Sequence, residues 1–394
     1  MKATLILSLL ISTTFLQAQQ QLPPGFWMGR TTGKLPYVEY GLGNDRLGGA
    51  KMTYIDTNVV VCVVDSMNEV YKIRLSERHF AYMPKTAVRY DSLLTLKPYY
   101  LTQNFRVYGD SAYDYVKINL DQKLPYKSIQ QINPSRIAVD IYGATTNTNW
   151  ITQLTSAQEI KNVYYEQIED DVFRAIIELK HTQHWGHHIY YDSASSRLVI
   201  RVKRQPFPLT LRNLRIAIDA GHGGSNSGAE GITSHIAEKT FTLLFAKQLE
   251  SVLHEAGVKN VFMTRTKDTT LTMVERVEML QQFSPDVLIS LHLNSSDNDT
   301  VRGTSTYYRY IGFRPLSQAI LKQMLALGLD EYGNVGNFNF ALNGPVEYPN
   351  TLVEVAFLSD KKEEKMIMDP AFRTRVAGRI MRGIQNWLAA MESL

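Results

Sequence analysis

Several features that mark familiar protein classes are scarce or missing. There is one cysteine, Cys62, in 394 residues. That excludes an internal disulfide framework, a cysteine-based metal cage and a CxxC redox motif. Charge of one sign is scarce: 42 Lys and Arg stand against 38 Asp and Glu, a formal net charge of +4. The excess is dispersed, with no long basic run, so nucleic acid is not an expected partner. Internal repeats and low-complexity tracts are missing. So are long apolar runs, except at the extreme N-terminus. What is present is 44% hydrophobic and 20% charged, ample for packed cores, and the length suggests two or three domains.

Residues 1–20, MKATLILSLLISTTFLQAQQ, combine a positive Lys2, an apolar stretch from Leu5 to Leu16 and a small residue, Ala18. This is the grammar of a secretory signal peptide. The stretch is shorter than the roughly 20 residues a spanning helix needs, and no cysteine follows it to carry a lipid. An uncleaved anchor is the alternative. The expectation is an exported chain, periplasmic or extracellular and associated with the cell wall, with no transmembrane segment once mature. Cys62 lies in the apolar run VVVCVV and reads as an inert core residue.

The rest divides by pattern. Residues 21–95 contain short β-type runs (KMTYI, VVVCVV, VYKIRL, FAYMP) separated by turn residues, which suggests a small β-barrel. Residues 100–205 carry longer alternating runs such as RIAVDIYG, FRAIIELK and RLVIRVK, which suggests a β-sandwich. The first block loosely resembles bacterial Src-homology-3-like barrels, and the second resembles the AMIN domain, an envelope-targeting sandwich. From residue 213 to 394, strands alternate with helices. The expected helices run from Ala237 to Glu255, Met273 to Phe283, Leu316 to Leu327 and Phe372 to Leu388. STYYRY and TLVEVAFL are expected strands. The fold class is therefore multidomain: a β-rich N-terminal half, then an α/β domain with a largely parallel central sheet flanked by helices.

Four side chains in that last part sit at the edges of regular elements. His222 follows strand RIAIDA, Glu238 opens the first long helix, His292 ends strand VLISLH and Glu354 lies in strand TLVEVAFL. Functional groups of open α/β sheets gather beyond the carboxyl ends of strands. Two imidazoles and a carboxylate make a common catalytic zinc set with a position left for water. A further carboxylate can move the water's proton. The assignment is His222, Glu238 and His292 as ligands of one Zn2+ per chain, with Glu354 as the acid/base. On spacing alone, a structural histidine and a solvated glutamate remain alternatives.

IAIDAGHGGSNSGAEG, EKTFTLLFAKQLESVL, VFMTRTKD, DVLISLHLNSS, GTSTYY and YPNTLVEVAFLSD follow one another in an order and spacing that resemble the zinc-dependent N-acetylmuramoyl-L-alanine amidase family. The resemblance implies the same roles for His222, Glu238, His292 and Glu354. It also implies hydrolysis of the amide between the lactyl group of N-acetylmuramic acid and L-alanine in peptidoglycan. The sequence departs from the family pattern at Asn226, at Ser234 to Ile236, at Gln281 to Phe283 and at Asp360. Some family members carry a plugging helix after the second histidine; the short span from Asn294 to RGTSTYY leaves no room for one. The alternatives are a zinc carboxypeptidase-like peptidase and a non-catalytic wall-binding adaptor. The N-terminal β blocks are expected to contact wall or envelope and to hold no chemistry.

Other motifs receive structural readings. His181, His184, His187 and His188 look like a metal tract, but no carboxylate set accompanies them and a turn is expected. His235 is expected to face solvent. Tyr307, Tyr308 and Tyr310 are candidates to line a glycan groove. Ser290 and Ser317 lack a GxSxG context, which disfavours serine hydrolysis.

Overall fold

The computed structural model describes residues 25–43 and 47–392, so the expected signal peptide lies outside the described residues. The N-terminal half is all β. A seven-stranded antiparallel sheet runs from Trp27–Thr31 to Val88–Tyr90. Next come a four-stranded sheet, formed by Tyr126–Ile132, Ser135–Tyr142, Val172–Leu179 and Ile160–Glu169, and a sheet centred on Tyr100–Gly109, Tyr113–Leu120 and Leu198–Lys203. Alternation explains them: Tyr113–Leu120 buries every second residue, as a half-buried strand should. One continuous group of buried apolar residues runs from Val38 and Ile73 of the first sheet through Phe105, Phe173 and Val202 of the others. Cys62 is a buried free cysteine packed near Met28 and Val60.

The C-terminal part contains β1 (Arg215–Ala220), α1 (Glu238–Glu255), β2 (Asn260–Met263), α2 (Met273–Phe283), β3 (Val287–Asn294), β4 (Thr304–Tyr307), α3 (Arg314–Leu325), β5 (Glu331–Val335), β6 (Asn350–Phe357), α4 (Lys361–Met368) and α5 (Pro370–Glu392). The sheet order is β2-β1-β3-β6-β4-β5. Every pairing is parallel except β4 with β6. Strands covered on both faces read as nearly continuous apolar runs, and β3 is buried from Val287 through Leu293. Alternation divides the faces. Ile216, Ile218, Ile289, Leu291, Val353 and Val355 pack with α1, α3 and α5, whereas Ala217 and Leu288 pack with Val277 and Leu280 of α2.

Several boundaries differ from the sequence reading. The third helix occupies Arg314–Leu325 and the last begins at Pro370. The strand expected over STYYRY ends at Tyr307. In α1, Phe241, Phe245, Leu249 and Leu253 are buried as expected, but Leu244 is 40% exposed, one position outside the stripe.

The two halves meet along the His-rich tract. Trp185 packs on Trp387 of α5 with ring centroids 5.0 Å apart. Trp387 Nε1 donates to Gln183 Oε1 at 3.0 Å, and Gln183 Nε2 donates to the Gly312 carbonyl at 2.8 Å. His187 N donates to the Val346 carbonyl at 2.9 Å. Gly186, at φ +109°, lies so close to the Glu347 carbonyl that a Cβ would sit 2.1 Å from its oxygen, a close approach open only to glycine. The tract is a joint between halves. His184 and His187 are buried in it.

Candidate active site

Asp219, Ser290, His292 and Glu354 lie on the face of the sheet that α2 covers, along the carboxyl halves of β1 and β3 and midway along β6. Beyond β1 the chain turns sharply: His222 takes φ +60° and is followed by Gly223 at +131° and Gly224 at +55°. A left-handed non-glycine residue is uncommon and costs energy, so the turn must be held from outside. Two arginines hold it. Arg265 donates to the carbonyls of Ala220 and Gly221, each at 2.9 Å. Arg276, from α2, donates to the carbonyls of Ala220 and His222 and pairs with Asp219. Asp219 also accepts from Thr264 and Ser290, each at 2.7 Å. Burial alone would raise the Asp219 carboxyl, but Arg276 and these hydroxyls hold it below the usual carboxylate range.

Glu238 opens α1 without a side-chain N-cap, and its carboxylate lies near the positive end of the helix dipole. One oxygen accepts from Ala229 N at 3.0 Å, the other from Leu293 N at 2.9 Å. The same oxygens lie 3.0 Å from His222 Nε2 and 3.2 Å from His292 Nδ1. The imidazole rings stand 4.8 Å apart. Ligand atoms of His222, Glu238 and His292 all fall within 4.8 Å of one another, the sole such cluster among the described residues. Burial opposes ionisation of Glu238, yet hydrogen bonds from both histidines hold its pKa far below normal. Burial pulls the His222 pKa down, but Glu238 and Asn226 together raise it above the usual value.

This donor set fits a metal ion. His222 Nδ1 lies 2.9 Å from Asn226 Oδ1, an acceptor, so Nδ1 carries a proton; Nε2, facing Glu238, then holds either the second proton of an imidazolium or, in the neutral ring, a lone pair for a cation. Two acceptors, Nε2 and a carboxylate oxygen, then face each other and require a proton or a cation between them. His292 Nε2 is buried and has no hydrogen-bond partner. Gly228, at φ +69°, leaves the space that a Cβ would take, 2.4 Å from the Glu238 carboxylate.

Glu354 faces His292 directly in the register of β3 and β6, and Ser305 in that of β6 and β4. It is half-buried, while its neighbours Val353 and Val355 point into the opposite core. The four site residues are therefore brought together. His235 is exposed at φ +55° and stays outside the cluster. None of the four tract histidines, His181 to His188, enters a metal-type cluster; His181 pairs with Glu159 at 2.6 Å. Of the three tyrosines, Tyr307 is buried beneath Phe338, whereas Tyr308 and Tyr310 are half-buried and the Tyr310 hydroxyl donates to the Gly344 carbonyl. The sequence reading missed Asp219, Arg265 and Arg276 as supports, although the segments holding the two arginines, VFMTRTKD and the start of α2, were in view. It also missed Phe340, whose ring packs edge-on to His292 at 5.6 Å.

A mainly parallel α/β sheet with a His/Glu/His cluster beyond its strands defines a class: an α/β domain whose clustered donors fit a metal ion. Residues 216–386 match the N-acetylmuramoyl-L-alanine amidase family and residues 104–202 match the AMIN domain. The C-terminal part of the chain is thus an N-acetylmuramoyl-L-alanine amidase domain, and an AMIN domain precedes it. It is 24% identical over 371 residues to the N-acetylmuramoyl-L-alanine amidase AmiC of Neisseria meningitidis serogroup B, covering 72% of this chain and 89% of that one. It is 28% identical over 181 residues to the probable cell wall amidase LytH of Staphylococcus aureus, covering 46% and 60%. Among solved structures, the catalytic domain of CwlV, an N-acetylmuramoyl-L-alanine amidase from Bacillus (Paenibacillus) polymyxa var. colistinus, is 36% identical with a TM-score of 0.42. That match covers 44% of this chain and 97% of the other. No helix among the described residues is long and apolar enough to cross a membrane.

Proposed function

We propose that this amidase is zinc-dependent, is exported to the cell envelope, and cuts the bond between the muramic acid lactyl group and L-alanine of peptidoglycan. The observation that carries the reading is the Glu238 carboxylate set between two imidazoles, with Glu354 facing one of them across the strand register. A zinc ion held by His222, Glu238 and His292 would polarise the scissile carbonyl and make water a better nucleophile. The protein's own groups do the rest. Asn226 fixes the tautomer of His222, and the amides of Ala229 and Leu293 orient Glu238. Glu354 takes a proton from the attacking water as the new C–O bond forms. It returns that proton to the alanine nitrogen as the C–N bond breaks.

Between β3 and β4, residues 295–303 form a short loop without a helix, which supports a site that no local plug covers. The test is mass spectrometry of muropeptides after digestion of purified sacculi. Stem peptides with a free N-terminal L-alanine, leaving peptide-free glycan, are expected, and chelation should abolish their release. Shortened stems still attached to muramic acid would replace this reading with a peptidase. Zinc retained by both His222→Ala and His292→Ala would remove these residues as ligands.

A further inference from the structure

Residues 336–349 connect β5 to β6, and the first part of this connection, 336–344, reaches the edge of the active site at His292. Phe338 packs on Tyr307 with ring centroids 4.6 Å apart, and Phe340 on His292 at 5.6 Å; the two phenylalanines are 6.2 Å apart. Phe340 also joins the apolar group of Val277, Leu280, Leu288 and Leu342. It therefore links the core under α2 to the candidate ligand His292. The residue between the two rings, Asn339, points the other way, into the first β sheet.

All four hydrogen-bonding positions of the Asn339 amide are filled. Its Nδ2 donates to the carbonyls of Leu47 at 3.3 Å and Gly49 at 2.9 Å. Its Oδ1 accepts from Lys51 N at 3.1 Å and from Arg309 Nη1 at 3.2 Å. A primary amide has two donors and two acceptor positions, so no further bond can be added. Arg309 closes the arrangement by also donating to the Lys51 carbonyl. Tyr54, at the end of the same strand, approaches the Ala341 carbonyl at 3.5 Å. Three bonds run to backbone groups nearly 290 residues away in sequence. They set the position of the one residue flanked by both aromatic walls.

We infer that Asn339 is a positioning residue: it clasps segment 47–51 of the N-terminal sheet and so fixes the Phe338 and Phe340 wall against which the muramyl-peptide is bound. The N-terminal sheet is thereby part of the active-site architecture as well as a candidate wall-contact surface. The inference rests on the amidase reading for the identity of the substrate. The clasp itself does not.

The test uses the full chain and three variants, Asn339→Ala, Phe340→Ala and the double variant, with Arg309→Met as an independent break of the clasp. Hydrogen exchange by mass spectrometry reads the clasp without activity. Asn339→Ala and Arg309→Met should exchange faster across 336–344, while β3 and β6 keep their protection. Unchanged exchange in both variants would overturn the inference whether or not the chain cleaves peptidoglycan. Steady-state kinetics on a soluble muramyl-peptide reads the wall. Each single variant should raise KM about three- to tenfold, with kcat within about twofold and zinc content unchanged. Because Asn339 acts partly through Phe340, the double variant should raise KM by clearly less than the product of the two single effects. Multiplying KM effects, or a wild-type KM in Asn339→Ala, would overturn the positioning role. A wild-type chain that cleaves no muramyl-peptide would sink the amidase reading and, with it, the substrate half of the inference.

Discussion

Two glutamates share the site, and their surroundings set them apart. Glu238 is held by two backbone amides and two imidazoles, an environment that keeps a carboxylate ionised. Glu354 stands in the middle of a strand, opposite His292 and outside the ligand cluster. Glu354→Gln keeps the shape and removes the base. It should fold normally and hold zinc at wild-type stoichiometry, with kcat lowered by roughly 10²–10⁴. Zinc loss in this variant, measured by metal analysis of the purified protein, would show that Glu354 is a ligand. Wild-type kcat would remove it from the chemistry. His222, Glu238 and His292 are legible in the sequence because each is a chemically unusual group at or near an element's edge, whereas Glu354, in the middle of its strand, is legible as a lone carboxylate in an apolar run. Asp219, Arg265 and Arg276 are not, because charged residues are expected at the surface and nothing in a linear sequence marks an arginine that is 1% exposed.

At the scale of elements, legibility followed periodicity. The helix expected over Met273 to Phe283 is α2, with Thr272 and Glu275 forming a reciprocal capping box at its start and Ser284 ending it at φ +51°. The helix α4 escaped notice because KKEEKMIM is short and polar. Its start at Asp360, whose carboxylate caps Lys362 N and Glu363 N, registered only as a departure from a family motif. β5 escaped because EYGNV has no buried face. The element that matters most for the site is α2, since it delivers Arg276 to the carbonyl of His222 and to Asp219. Removing one partner of a buried pair leaves an uncompensated charge. Arg276→Met should therefore cost about 3 kcal/mol in urea unfolding and weaken zinc retention, because the His222 turn loses its anchor. Unchanged stability together with unchanged zinc content would show that the turn holds itself.

At the scale of the whole molecule, the sequence divided the chain by pattern and was silent on how the parts meet. The β-rich half and the α/β half follow from alternation and helical spacing. Their joint depends on residues such as Gly186, Trp185 and Gln183, whose roles exist only once both halves are folded. His187 makes the joint sensitive to acid. It is buried, neither ring nitrogen has a hydrogen-bond partner, and burial beside His184 and His188 pushes its pKa down to about 3. The folded chain therefore keeps His187 neutral where the unfolded chain protonates it, near the usual 6.5. The contribution is complete above that value and is lost as pH falls toward 3, at up to roughly 1.4 kcal/mol per pH unit. His187→Leu should flatten this dependence. Its unfolding free energy relative to the wild type should rise as pH drops from 7 to 5. Parallel curves for the two proteins would show that His187 does not sense pH.

The Trp185–Trp387 contact has an optical consequence. The protein has four tryptophans. Trp150 is 61% exposed and emits from a water-like environment, whereas Trp185 and Trp387 are 2% exposed and lie with centroids 5.0 Å apart. Two indoles at that separation couple their electronic transitions, and one belongs to each half of the molecule. Their paired circular dichroism band is thus a built-in label for the seam, lost when the halves part even if each keeps its own secondary structure.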